Sequence, residues 1–428
     1  MSKNTFYVSC PIDTYSGYGS RSRDYVKALI ELDKYDVKIL PQRWGSTPFS
    51  FIDDHIEEWG FLKQYLYSSP QLTEQPDIWC QITVPNEFQP IGKYNIGLTA
   101  GIETTACSHT WIEGCNKMNL ILTSSNHSKQ VFENTRFTVD NNGQKQELKI
   151  TTPIEVLIEG ANLDVYKPVK SIFNLDEVKE DWCYLFVGHW MQGQLGEDRK
   201  NVGLLVKAFY EIFKNKKKRP ALILKTSNGT SSHMDRREIQ KRIISIRKSI
   251  PSKDLPSIYV LHGELSDVEM NELYNHSKVK AMVSLTKGEG FGRPLLEFSL
   301  ANKPIITTGW SGHADFLNPE FTAMMGGKLA PVHESVVNDF LLKESQWFNV
   351  DHGQIGYFMT DVFENYKDWK VKGKRQGYFS RTNFGFENMK SQITDTFTKY
   401  LPELPKKVEL KLPNLKEIKL PKKETVNG

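Results

Sequence analysis

Two glutamates set among glycines mark the chemistry of this chain. Residues 287–298 read KGEGFGRPLLEF, with Glu289 in a loop of glycines and Glu297 downstream of Pro294. A carboxylate accepts two hydrogen bonds at once, which suits vicinal hydroxyls on a ribose or a hexose. Gly288, Gly290 and Gly292 let the backbone approach a ligand closely. Pro294 suits the first turn of a helix, where its missing N–H costs nothing. The free amides and positive dipole end at such a start suit a diphosphate. Two glutamates at this spacing recur by chance in a charged chain. The succession of apolar strand, glycine loop, proline and apolar helix is what favours a site.

Two further loops offer complementary chemistry. Arg199 and Lys200 sit just before a helix that begins near Val202. Cations there oppose the helix dipole, so they call for an anionic partner; a solvated surface pair is the competing reading. A nucleotide diphosphate would serve, because negative charge builds on the leaving phosphate during group transfer. Gly17 and Gly19 flank Tyr18 between the first strand and the first helix, where phosphate approach is plausible in an open α/β sheet.

The elements that must position these loops are short apolar runs alternating with helical patterns. Residues 5–9, 37–40, 77–82, 94–98 and 120–123 read as strands, and 21–32 and 125–133 as helices. A second series follows: strands at 184–187, 221–225, 257–261, 280–285 and 304–307, helices at 202–213, 236–249 and 267–276, and a helix holding 295–300. Such alternation predicts parallel sheets covered on both faces. Residues 166–180 carry Pro168 and many charges and read as a linker. The expected division is 1–175, an acceptor domain; 176–380, a donor domain; 381–403, a helix packing back toward the first domain; and 404–428, a flexible Lys- and Pro-rich tail.

Composition bounds the rest. The 428 residues are 39% hydrophobic and 25% charged, with a formal net charge of +4, far from that of a dedicated nucleic-acid binder. The five cysteines form no CxxC pair and read as reduced thiols rather than a disulfide framework or a zinc site. No run reads as a signal peptide or a membrane span, so a cytoplasmic protein is expected. Basic residues at 214–219 and 236–248 would suit a peripheral contact with anionic lipid at the inner face of a membrane, or nucleic acid; a solvated face is the commoner outcome.

The run from Glu289 to Glu297 resembles the E-x7-E motif of retaining GT-B glycosyltransferases, especially family 4. Phe186-Val-Gly188, the run from Lys200 to Leu205, and the run from Ile258 to Gly263 followed by Leu273-Tyr274 resemble that family's donor domain in order. Gly17-Tyr18-Gly19 resembles its N-terminal glycine loop. The likeness covers most of residues 1–400 and is strongest from 184 to 316. It implies an α/β GT-B fold, two Rossmann-like domains facing each other across a cleft. It also implies a hexosyl transferase that uses a UDP- or GDP-linked sugar, retains anomeric configuration, and needs neither a metal nor a tightly bound cofactor.

The resemblance further implies residue roles. Glu289 would contact the donor sugar and Glu297 the ribose. Arg199 and Lys200 would hold the diphosphate with the amides around Gly290, Phe291 and Gly292, and Gly263–Leu265 would border the base. Lys225 would end a strand facing the cleft, and Gly309, Gly312, His313 and Asp315 would close the donor site. The family often carries a histidine in the N-terminal domain near the sugar; here Glu103 stands at the comparable stretch, with His109 as the other candidate. The loop between Gly188 and Arg199 is longer than the family's compact form. The expected acceptor is a glycan or lipid-linked glycan. A transferase acting on modified DNA bases and a nucleotide- or glycan-binding protein without turnover are the alternatives.

Overall fold

The computed structural model describes residues 3–69, 71–141, 144–190 and 195–403. The expected tail, 404–428, lies outside the described residues.

Two parallel six-stranded sheets form the centres of two domains. In the first, the order is Tyr35–Pro41, Asn4–Cys10, Ile78–Ile82, Tyr94–Thr99, Leu120–Thr123 and Ile154–Val156. In the second it is Ile258–Leu261, Ala221–Lys225, Cys183–Val187, Val279–Ser284, Ile305–Thr308 and Ala323–Met325. The second order, third-second-first-fourth-fifth-sixth, is the doubly wound Rossmann arrangement. Every pairing in both sheets is parallel. The strands are near-continuous apolar runs because helices cover both faces. Tyr184, Leu185, Phe186, Leu222, Ile223 and Leu224 are all fully buried.

In such sheets ligands bind at the carboxyl ends of strands, where the winding reverses. In the second domain that point lies between Cys183–Val187 and Val279–Ser284. These strands lead directly into Gly188 and into the 286–292 loop.

Local signals set the helix boundaries. The first helix runs Gly17–Leu32, starting inside the glycine loop rather than at Arg21. The Ser16 hydroxyl caps it by accepting from the Gly19 amide at 2.9 Å. The helix Asn126–Asn134 is capped by Ser125. Ser266 and Glu269 form a reciprocal capping box at the start of Asp267–Asn275.

Residues 166–180 are tethered. Tyr166 is buried and donates to Asp267 at 3.0 Å, and Lys278 Nζ donates to the carbonyls of Leu175 and Val178 at 3.1 and 2.5 Å. Three helices close the described chain: His352–Glu364, Tyr366–Asn383 and Phe386–Tyr400. The middle one packs its Gly373 and Gly377 against the backbone of residues 299–304 in the second domain. The last returns to the first domain. Its Phe397 stacks on Phe6 at 5.8 Å, and Lys390 pairs with Glu31 at 2.8 Å.

Among the described residues no helix is long and apolar enough to cross a membrane. The five cysteines are free and buried.

Candidate active site

Between the domains lies a cavity of about 400 Å³. The first domain contributes Gly17, Tyr18, Arg21, Glu103 and Glu159. The second contributes Gly188, His189, Arg199, Lys200, Lys225 and the run Glu289–Pro294.

The densest chemistry is around Glu289, which is 7% exposed. Lys200 Nζ donates to both its carboxylate oxygens, at 2.6 and 2.7 Å. Arg199 reaches the same carboxylate at 3.3 Å, Glu103 across the cleft at 3.1 Å and the Gly288 carbonyl at 2.8 Å. Burial pushes the Glu289 carboxyl up, but Lys200 and Arg199 outweigh it and hold the group at about 2. Two cations and two carboxylates thus nearly cancel.

A second ionic cluster joins the domains. Arg293, at the start of the helix Arg293–Ser299, donates through Nε to Glu297 at 2.8 Å and through Nη1 to Asp24 at 2.5 Å. Glu159 lies 4.0 Å from the same guanidinium. Burial, reinforced by Asp267 and Asp24, outweighs Arg293 and pushes Glu297 up to about 7. Arg21 is buried beneath this cluster and donates to the carbonyls of Leu157 and Ile158, both at 2.5 Å.

The glycines of the 286–292 loop serve mainly the protein. A Cβ on Gly288 would stand 2.4 Å from the Glu103 carbonyl oxygen, and one on Gly290 would stand 2.9 Å from that of Ala100. Both contacts cross the cleft, so these glycines let the loop approach the other domain. Gly292 has φ +97°, a conformation that favours glycine. Gly312 packs against the loop from behind, where a Cβ would be 2.1 Å from the Gly290 carbonyl oxygen.

Of the expected site residues, Gly17, Tyr18, Glu103, Arg199, Lys200, Lys225, Glu289, Gly290, Phe291 and Gly292 line the cavity. The Phe291 ring itself packs on Phe316, with centroids 4.9 Å apart. The others stand off the lining. Gly19 faces the Thr14 carbonyl and its amide is taken by Ser16. The Gly263 carbonyl is one contact behind, accepting from Lys225 Nζ at 2.7 Å. Leu265 packs with the hydrophobic core, and Glu297 sits behind Arg293. His109 is exposed, edge-on to Phe137. His313 is fully buried, with Nε2 2.6 Å from the Thr308 carbonyl, and Asp315 caps the helix Asn126–Asn134 by accepting from the Asn126 amide at 2.7 Å. Gly312, His313 and Asp315 therefore brace the loop rather than line the cavity.

Sequence reasoning missed Arg21, Asp24, Glu159, His189 and Arg293. Arg293 lay inside the glutamate run, His189 in the loop from Gly188 to Arg199, and Arg21 and Asp24 in the segment that follows Gly17–Gly19, yet none was given a role; Glu159 lay outside every such segment. His189 Nδ1 lies 3.0 Å from Ser227 Oγ, at the cavity wall. In the first domain, the His127 ring meets Trp310 of the second edge-on at 4.7 Å. Burial pushes it down to about 4, so it is neutral at physiological pH. Among the described residues no group of His, Cys, Asp or Glu is placed to hold a metal ion.

No protein-family model and no curated protein matches this chain. Solved structures do. A glycosyltransferase from Rickettsia africae has a TM-score of 0.59 at 12% identity, over 94% of this chain and 100% of that one. An Anabaena protein, HepE, in complex with UDP and glucose, has 0.58 at 12%, over 92% and 100%. Sucrose-phosphate synthase from Thermosynechococcus elongatus has 0.60 at 10%, over 93% and 99%. At such identities the likeness establishes the architecture: a GT-B fold of two Rossmann-like domains facing across a cleft.

Proposed function

We propose that this chain is a retaining glycosyltransferase that moves a hexosyl unit from a UDP- or GDP-linked donor to a glycan or lipid-linked acceptor. The observation that carries the reading is the buried Glu289–Lys200–Arg199 cluster, open to the interdomain cavity at the carboxyl ends of the donor-domain strands. The neighbour solved with UDP and glucose supports the choice of donor class.

On this reading the donor enters as an exchange of partners. Its diphosphate takes Lys200 and Arg199 away from Glu289, with Lys225 alongside. The freed carboxylate then accepts hydrogen bonds from sugar hydroxyls. The bond from the anomeric carbon to the phosphate oxygen breaks, and the bond to the acceptor oxygen forms on the same face. The acceptor's proton passes to the leaving phosphate, so no protein nucleophile is needed. The two cations stabilise charge that grows along this path, and a preorganised donor of this kind is worth roughly 3–4 kcal/mol. Lys200→Ala should therefore lower turnover by about 10²–10³-fold.

The test is thermal stabilisation by a panel of nucleotide sugars, followed by NMR of the product anomer. Stabilisation by one nucleotide family, lost in Lys200→Ala, with a product keeping the donor's anomeric configuration, is expected. No stabilisation of the folded protein by any nucleotide sugar would remove the transferase reading, and an inverted product would remove retention.

A further inference from the structure

A second cavity, of about 840 Å³, opens on the donor domain and shares no lining residue with the interdomain one. Its size is that of a small-molecule site. The helix Val202–Phe213 lines it with one face from Leu204 to Ile212, the helix His352–Glu364 with its opening turn, and Lys287 is one of its most buried wall residues.

Three observations say what would fill it. Lys287 is a buried cation, 3% exposed, with no carboxylate at ion-pair distance among the described residues. Its Nζ donates to the Gly196 carbonyl at 2.5 Å and sits 4.3 Å from the centre of the Trp347 ring. An ammonium has three donors, and this carbonyl takes one. Burial pulls this lysine down to about 8 and outweighs the more distant carboxylates of Asp198 and Glu197, which favour its charge. Asn201, 2% exposed, also lines the cavity, and its Oδ1 is a buried acceptor without a partner. Such an atom calls for a donor, and a ligand hydroxyl is one.

The third observation is the charge on the remaining walls. Glu211 is engaged by Lys214 at 2.5 Å, and the Asp351 side chain accepts from the Gly353 amide at 2.7 Å. Lys207 and Lys328 line the same cavity, and neither has an ion-pair partner among the described residues. Three lysines thus line the cavity against two acids, and one of those acids, Glu211, is already paired with Lys214 outside it, so the walls carry net positive charge.

We propose that this cavity is a binding site for a phosphorylated monosaccharide. Its hydroxyls meet Asn201 Oδ1 and Lys287 Nζ, and its phosphate meets Lys207 and Lys328. The site also has a physical connection to the cleft. The Lys287 amide donates to the Arg199 carbonyl at 2.8 Å, and the next residues along the chain are Gly288 and Glu289. An occupant that draws on Lys287 therefore shifts the segment that carries Arg199 and Glu289. An effect on sugar transfer rests on the transferase reading; the binding does not.

The experiment is calorimetric titration of the full chain with glucose 6-phosphate, glucose and inorganic phosphate. It uses wild type, Lys200→Ala and the double variant Lys207→Ala/Lys328→Ala. The two lysines of the double variant are not buried, so their removal leaves the core intact. Glucose 6-phosphate should bind wild type and Lys200→Ala alike, and bind the double variant at least about tenfold more weakly, a loss of ~1.4 kcal/mol. Glucose and phosphate alone should each bind more weakly than the combined molecule. Three results would overturn the proposal: no binding of glucose 6-phosphate at millimolar concentration, binding lost in Lys200→Ala but kept in the double variant, or inorganic phosphate binding as tightly as the sugar phosphate. Nucleotide-sugar binding, measured separately, shows whether the transferase reading stands or fails independently.

Discussion

Replacing Glu289 by Gln keeps the shape of the side chain and removes the charge that Lys200 and Arg199 share. The carboxyl stands at about 2 against an ordinary 4.5 and is nearly inaccessible to solvent. At about 1.4 kcal/mol per pH unit, its ionised form contributes ~3 kcal/mol to the folded state at neutral pH. Glu103 still faces Arg199 in the variant, so the loss stays near the lower end of the ~3–5 kcal/mol typical when a buried pair loses one partner. The sign follows from linkage. A carboxyl depressed by folding gives stability that is complete above its unfolded value near 4.5 and is lost as pH falls toward 2. Wild type should therefore exceed Glu289→Gln by about 3 kcal/mol at pH 7 and by about half of that at pH 3. Urea unfolding followed by tryptophan fluorescence measures both differences, and titrating groups that do not interact with Glu289 cancel between the two proteins. A difference below about 1 kcal/mol at pH 7, or one that does not change with pH, would refute the electrostatic account of this cluster.

Two further outcomes are expected. Gly312→Ala should cost about 1–3 kcal/mol and weaken nucleotide-sugar binding, because its Cβ meets the Gly290 carbonyl oxygen at 2.1 Å and the two segments must move apart; melting curves with and without UDP report both effects. Glu297 is pushed up to about 7, so the folded state holds its proton more tightly and stability falls as pH rises from near 4.5 toward 7. Without donor, Glu297→Gln should gain on wild type between pH 5 and pH 8 in thermal melts; a variant that falls further behind at pH 8 would contradict this.

Most of the parallel strands were legible because burial on both faces leaves their signature in consecutive residues, as in the Ala221–Lys225 run, whereas the three-residue edge strands Ile154–Val156 and Ala323–Met325 are too short to carry it. The hairpin Phe137–Asn141/Gln144–Leu148 was not, since its second strand is polar and mostly exposed. The helix Tyr366–Asn383 was missed for a different reason. Gly373 and Gly377 read locally as breakers, yet a Cβ on either would collide with residues 299–304. At the site, Glu289, Arg199 and Lys200 were found because their loops carry local patterns. The bond from Arg293 to Asp24 was invisible, because it joins positions whose nearness exists only after folding. The glycines at 288 and 290 were noticed for a ligand's sake, while the structure uses them to bring two domains together.

The return of Phe386–Tyr400 to the first domain has a consequence for the order in which the protein can be built. Phe6 and Tyr35 belong to its first two strands, and both lie against Phe397. A ribosome delivers those strands early and their covering ring only after the entire second domain has emerged. Domains otherwise tend to fold as units from the N-terminus during synthesis. Here the earlier half keeps an open apolar face throughout translation of the later one, and its final closure waits on a segment from the opposite end of the described chain.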